Sequence, residues 1–210
     1  MRNPIEIILD KFKKEAYTYF DQNIHKLSKT KAGEFDESGG AMQNNDADAF
    51  RHAYASGSVT QWASAYVAEK LGQIVEWKGN NPKNQKNMDL WNNSIGRKYG
   101  KQTKTKKALA DTLKKALENG ELITTPNDSR KYDGETSFQV DTEKPIIVLH
   151  EKETGRNELF LDLLKGEIMD REKFVYSINN GEYPGYKVSM IDNIATPMSK
   201  PDGRADNNLG

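Results

Sequence analysis

The chain has 210 residues, 35% of them hydrophobic and 30% charged, enough for one ordinary domain or one domain with a smaller appendage. With no cysteine, disulfides, thiolate nucleophiles, zinc fingers and iron–sulfur clusters are excluded. Net charge is zero, yet residues 1–132 hold 22 Lys/Arg against 16 Asp/Glu and residues 133–210 hold 9 against 15, which marks either a basic substrate-facing surface or two halves that attract one another.

No stretch reaches eighteen apolar residues, and MRNPIEIILDKFKKEAY carries acids and lysines where a secretory signal has its apolar core. The expectation is a route out of the cell that needs no signal peptide. Residues 4–27 place Ile5, Leu9, Phe12, Ala16, Phe20, Ile24 and Leu27 at spacings of three and four, an amphipathic helix. SKTKAGEFDESGGAMQNN reads as a long loop. A second helix is predicted from Asn45 or Asp46 to Leu71, stopped by Gly72, with GQIVEWKGNN as the turn. Its small residues, Ala53 to Ser58, suit close approach of another helix, and Gly57 is costly without such packing. Pro82 is placed to start a third helix through MDLWNNSIGRKYG, and KKALADTLKKALE makes a fourth, stopped by Gly120.

After TTPNDSRKYDGE, the segments TSFQV, KPIIVLHE and NELFLD read as strands and LLKGEIMDREKFVYSINNG as a helix. The tail, EYPGYKVSMIDNIATPMSKPDGRADNNLG, reads as either an ordered wrap or a frayed end. The predicted architecture is mainly α, a helical bundle over residues 1–124, with a small α+β C-terminal part over 125–210 packing on it.

Polar residues gather on the helices. In DADAFRHAY, Asp48 lies three residues before Arg51 and four before His52, so all three share one helix face. A carboxylate beside an imidazole orients the ring and raises its basicity, as a general base or a metal ligand requires. The plain alternative is an acidic helix start with a local ion pair. In the third helix Asp89, Asn93 and Arg97 fall at i, i+4 and i+8 beside Asn92 and Gly96. Asparagines are poor helix formers, and their amides are expected either to hold another chain segment or a substrate, or to hydrogen-bond between helices and fix the packing. Glu76, before Trp77, is placed in the turn, where a carboxyl against an indole can act as a general acid. His25 and His150 read as surface histidines. RKYGKQTKTKK, with six basic residues, reads as a solvated connection rather than a phosphate strip.

DADAFRHAYASG, the Glu76 segment and NMDLWNNSIGRKYG together resemble a helical domain found at the ends of bacterial polymorphic and secretion-delivered toxins, and ALENGELI, residues 116–123, continues the resemblance. It covers about residues 44–124. Val75 stands where many relatives carry a histidine before the glutamate, which weakens any metal site needing a second histidine. The resemblance implies an effector delivered into other cells by a secretion-system component or carrier and countered by an immunity protein. It attaches no reaction. By motif position the catalytic candidates are Asp48, His52, Glu76 and Asp89, with Arg51, Asn92, Asn93 and Arg97 as substrate-binding residues.

Three functions fit these residues. The first is a hydrolase of the bacterial cell envelope, acting on peptidoglycan or a lipid-linked precursor in the periplasm by acid/base chemistry. The second is a nuclease in which Asp48, His52, Glu76 and Asp89 bind a divalent metal; the weak basic character of the chain counts against nucleic acid. In the third, a binding or adaptor module, the polar row only fixes helix packing.

Overall fold

A computed structural model describes residues 4–37, 42–78, 81–134, 140–152, 155–204 and 208–209. The fold is mainly helical with a small α+β C-terminal part: α1 (Pro4–Asn23), α2 (Asp46–Trp62), α3 (Ala65–Lys78), α4 (Lys83–Gln102) and α5 (Lys106–Glu118) precede β1 (Ile146–Glu151), β2 (Asn157–Asp162), β3 (Glu167–Asp170), α6 (Arg171–Asn179), β4 (Tyr186–Ile191) and β5 (Ile194–Ser199). The chain divides into two compact units, residues 8–138 and residues 139–210 together with 1–7. The helical unit thus runs past the expected boundary at 124. Side chains of α4 are the reason: Asn92 bonds both the N–H and the C=O of Ile123, Trp91 Nε1 donates to Glu121 O, and Asn87 bonds the backbones of Arg130 and Tyr132.

The helices end where polar side chains offer the backbone another partner. After α1, the buried Asp21 carboxylate accepts Leu27 N–H and Lys29 Nζ, drawing the chain out of the helix before residue 27. Asn45 caps α2 by accepting from Ala47 and Asp48 N–H. The single helix predicted over 45–71 is two: the backbone breaks at Ala63 (φ −125°, ψ −86°), and Ser64 Oγ caps α3 by accepting Val67 N–H. Gly72 does not stop the chain. It lies inside α3 because a β-carbon there would sit 3.1 Å from Asn93 Nδ2 on α4. Glu76 therefore stands on a helix rather than in a turn.

Helices α2 and α4 meet through their backbones. A β-carbon on Gly96 would fall 2.1 Å from Ala53 O, one on Gly57 2.8 Å from Gly96 O, and one on Gly100 2.7 Å from Gly57 O. This contact repays the helix propensity that three glycines forfeit. On its other side α4 faces α3 through a ladder in which Glu76 meets Asp89, Gly72 meets Asn93 and Glu69 meets Arg97, so the two helices run antiparallel. Phe20, Phe50, Met88, Leu109, Leu113 and Ile123 fill the core beneath.

In the second unit, β1, β2 and β3 form an antiparallel sheet in that order, with Ile147 opposite Leu161 and Phe160 opposite Met169. The segment read as one helix from 163 divides into a turn, a strand and α6. Asp162 forces the turn: its Oδ1 accepts Leu164 and Lys165 N–H, its C=O accepts Gly166 N–H, and Gly166 takes φ +68°. The tail is ordered where described. Strands β4 and β5 pair across Asp192 (φ 52°) and Asn193 (φ 59°), the two left-handed positions that match a hairpin to strand twist. Leu209 is buried with Phe160, Phe174 and Tyr186, and its N–H donates to Ser199 Oγ. The expected strand TSFQV lies, apart from Val140, outside the described residues. His25 and His150 are exposed.

Candidate functional site

The first two turns of α2, the last turn of α3 and the second and third turns of α4 bring Asp48, Arg51, His52, Glu76, Asp89 and Asn93 together. Asp48, His52, Glu76, Asp89 and Asn93 are each at most 8% exposed. Asp48 Oδ2 accepts Asn44 N–H at 2.7 Å, from a residue at φ 56°. Asp48 Oδ1 accepts Arg51 Nε at 3.1 Å and Nη2 at 2.5 Å. Arg51 Nη2 also reaches His52 Nε2 at 2.5 Å. A guanidinium only donates, so Nε2 is the accepting nitrogen and the ring proton sits on Nδ1. The Asn93 side chain hydrogen-bonds the ring, and Asn81 hydrogen-bonds Glu76.

Three lone-pair atoms converge. His52 Nε2 lies 3.2 Å from Asp89 Oδ1 and 3.6 Å from Asp48 Oδ1, and all three atoms fall within 4.8 Å of one another. Ligands held tetrahedrally at about 2.1 Å from a divalent ion stand about 3.4 Å apart. Both spacings from His52 Nε2 are close to that value, and among the described residues Asp89 Oδ1 and the neighbouring Glu76 Oε2 are buried without a hydrogen-bond partner. The group can hold a metal ion.

The electrostatics follow from burying this charge. Burial, then the Arg51 charge, pushes the His52 pKa down to about 3, so the ring is neutral at physiological pH. Burial raises the Glu76 and Asp89 carboxyls; the charge and hydrogen bond of Glu76 raise Asp89 further, to about 8, while that same hydrogen bond favours ionised Glu76. Asp48 goes the other way: burial opposes its ionisation, but Arg51 and the Asn44 N–H outweigh it and hold its pKa below the usual range.

Two predicted residues have other work. Asn92, fully buried, spends its amide on Ile123 and is not available to a substrate. Of the two expectations for the asparagines, it fulfils the chain-holding one. Arg97 lies two turns down the α3–α4 seam from Asp89, donating to Tyr132 Oη at 3.2 Å with Glu69 at 3.9 Å. The Trp77 side chain expected beside Glu76 is outside the described residues. Sequence reasoning missed Asn44 and Asn81, whose only signal is membership of asparagine pairs in the flanking connections, and Tyr17, a buried α1 phenol that hydrogen-bonds Arg51. Of the six basic residues from Arg97 to Lys107, four are engaged within the helical unit: Arg97 as above, Lys98 with Glu121, Lys106 with Ser58 O and Lys107 with Asp111.

A bundle whose helix seam carries this cluster defines the class of domain. Residues 8–121 match the family described as "Domain of unknown function (DUF6973)", and the chain belongs to that family. No curated protein and no solved structure gives a significant match. Among the described residues no helix is long and apolar enough to cross a membrane.

Proposed function

We propose that this protein is a hydrolytic effector toxin of the bacterial cell envelope and that the cluster on α2, α3 and α4 is its reactive centre, working with a divalent cation on Asp48, His52 and Asp89. The observation that carries the hydrolytic reading is the convergence of three acceptor atoms, His52 Nε2 lying 3.2 and 3.6 Å from two carboxylate oxygens and all three within 4.8 Å, beside an unpartnered Glu76 oxygen. A cation held there would supply Lewis acidity and a more acidic water. Glu76, whose carboxyl burial holds above the usual pKa range, would be the residue beside it to hold or pass on a proton. His52, neutral through burial, offers its Nε2 lone pair to a cation without first losing a proton. Asn93 fixes the ring, and Asn44 fixes Asp48.

The toxin role is supported by the motif resemblance, which also supports a cognate immunity protein and delivery by a carrier. The envelope is favoured over nucleic acid because the chain is neutral overall and Arg97 and Lys106 of the one basic run are spent on partners within the helical unit. The test is expression of the full chain in bacteria with and without periplasmic targeting, followed by product analysis of sacculi and lipid-linked precursor. Killing from the periplasm, lost in His52→Ala and Asp89→Asn proteins that fold, is the expected result. Undiminished killing by those variants overturns the hydrolase reading, and killing from the cytoplasm with nucleic-acid loss moves the substrate to nucleic acid.

A further inference from the structure

The cluster already contains one cation, the Arg51 guanidinium. Its Nη2 occupies two of the three converging acceptors, Asp48 Oδ1 and His52 Nε2, each at 2.5 Å. It is also the member that reaches solvent: its side chain is 25% exposed, against 7% for Asp48, 9% for His52 and 8% for Asp89. The third acceptor, Asp89 Oδ1, and the adjacent Glu76 Oε2 have no hydrogen-bond partner. One monovalent cation thus serves a site with three carboxyls and one imidazole, and with the Asn44, Asn81 and Asn93 hydrogen bonds it still leaves these two buried acceptors unmet. A buried unmet acceptor is costly, more so when it is charged. A divalent ion at the same position can meet acceptors that a planar fork cannot.

We propose that Arg51 is an exchangeable resident cation: it closes the site while the protein holds no metal, and a first-row divalent ion takes its place on Asp48 and His52, with Asp89 completing the set, as the guanidinium swings toward solvent. The mixed oxygen and nitrogen donors suit Mn²⁺ or Zn²⁺ better than Ca²⁺. No bond to carbon changes in the exchange; ion–ligand contacts replace hydrogen bonds, and the proton that burial and Glu76 hold on Asp89 passes to solvent as Asp89 ligates. The inference rests on the cation-assisted reading of the site, and it adds a form of regulation. Because the arginine competes for the ligands, metal affinity is set below what the ligands alone would give, so the centre stays closed where free divalent ion is scarce.

The test uses the full chain freed of metal. Free Mn²⁺, followed by its electron paramagnetic resonance signal, is titrated against the wild type, Arg51→Met, His52→Ala and Asp89→Asn. The expected result is binding at least tenfold tighter in Arg51→Met and at least tenfold weaker in the other two. A second measurement needs no variant: modification of Arg51 by phenylglyoxal, read by mass spectrometry, should accelerate at least fivefold when the wild type is saturated with Mn²⁺ or Zn²⁺. An arginine that merely lowers the local potential keeps its modification rate, and that result overturns the exchange while leaving the cation site standing. If the wild type and Arg51→Met both fail to retain Mn²⁺, or if His52→Ala and Asp89→Asn bind it as tightly as the wild type, the exchange and the cation-assisted reading fall together.

Discussion

Asn92 and Asn93 are neighbours in sequence with opposite fates, and the difference is one of helix geometry. A step of 100° turns Asn92 toward the 119–124 segment, where it closes a two-bond clamp on Ile123, and turns Asn93 toward His52. Asn92→Ala leaves a buried N–H and C=O unmet and should cost ~3 kcal/mol in urea unfolding without moving catalysis in the fraction that stays folded. Asn93→Ala should do the reverse, with lowered turnover and a smaller loss of stability. Glu76→Gln separates binding from chemistry: turnover should fall by about 10²–10⁴ while Mn²⁺ affinity changes little, since Glu76 is placed as the proton carrier rather than among the three converging ligands. The trio Asp48, Arg51 and His52 was legible because i, i+3 and i+4 on one helix need no tertiary information. The role of Asn92 was not, because its partner lies 31 residues away and an amide has no preference between a substrate and a backbone.

At the scale of elements, the seam between α2 and α4 is built on absent β-carbons. Gly96→Ala would drive a methyl into Ala53 O on a backbone that cannot yield, so the helices must part. The expected cost is ~3 kcal/mol, a fall in Tm of about 6–12 °C, with the Asp89 carboxyl carried away from His52. Gly57 was readable as a packing glycine, whereas Gly72 was misread as a stop because the Asn93 amide that lies over it comes from another helix. Glu76 was misplaced in a turn for that same reason. Strand β3 was missed because EIMD has no alternation strong enough to outweigh the helical pattern around it; the Asp162 turn, which depends on a buried carboxylate, sets it. Lys106 gives this region a pH signature. Burial lowers its ammonium from 10.5 to about 8, with Nζ donating to Ser58 O and lying 4.4 Å from the Phe12 ring centre. Between those two values the unfolded chain binds a proton that the folded one does not, so this lysine makes stability rise as pH rises from about 8 toward 10.5. Denaturant midpoints across that range should lose the rise in Lys106→Met.

Across the whole molecule, the helical unit carries the cluster and the second unit is held by its own core and by its C-terminal residues. Lys144, its side chain 4% exposed, pairs with Asp202 at 2.8 Å. Asp202→Ala would strand that ammonium and should cost about 3–5 kcal/mol, read as an early loss of the Tyr183 and Tyr186 environment in near-ultraviolet circular dichroism. The helix-then-strand change of texture was legible in composition, but the boundary was not, since Arg130, its guanidinium 5.3 Å from the Trp91 ring centre, binds the backbone of Gly120, Glu121 and Leu122 and ties a turn-like stretch to α4. The central claim is that Asp48, His52 and Asp89 form a cation site on which hydrolysis depends. Anomalous diffraction from crystals grown with Mn²⁺ tests it most directly. A peak is expected among Asp48 Oδ1, His52 Nε2 and Asp89 Oδ1 with the Arg51 guanidinium displaced; a crystal saturated with Mn²⁺ in which Arg51 still bridges Asp48 and His52, with no peak between them, would refute the cation site.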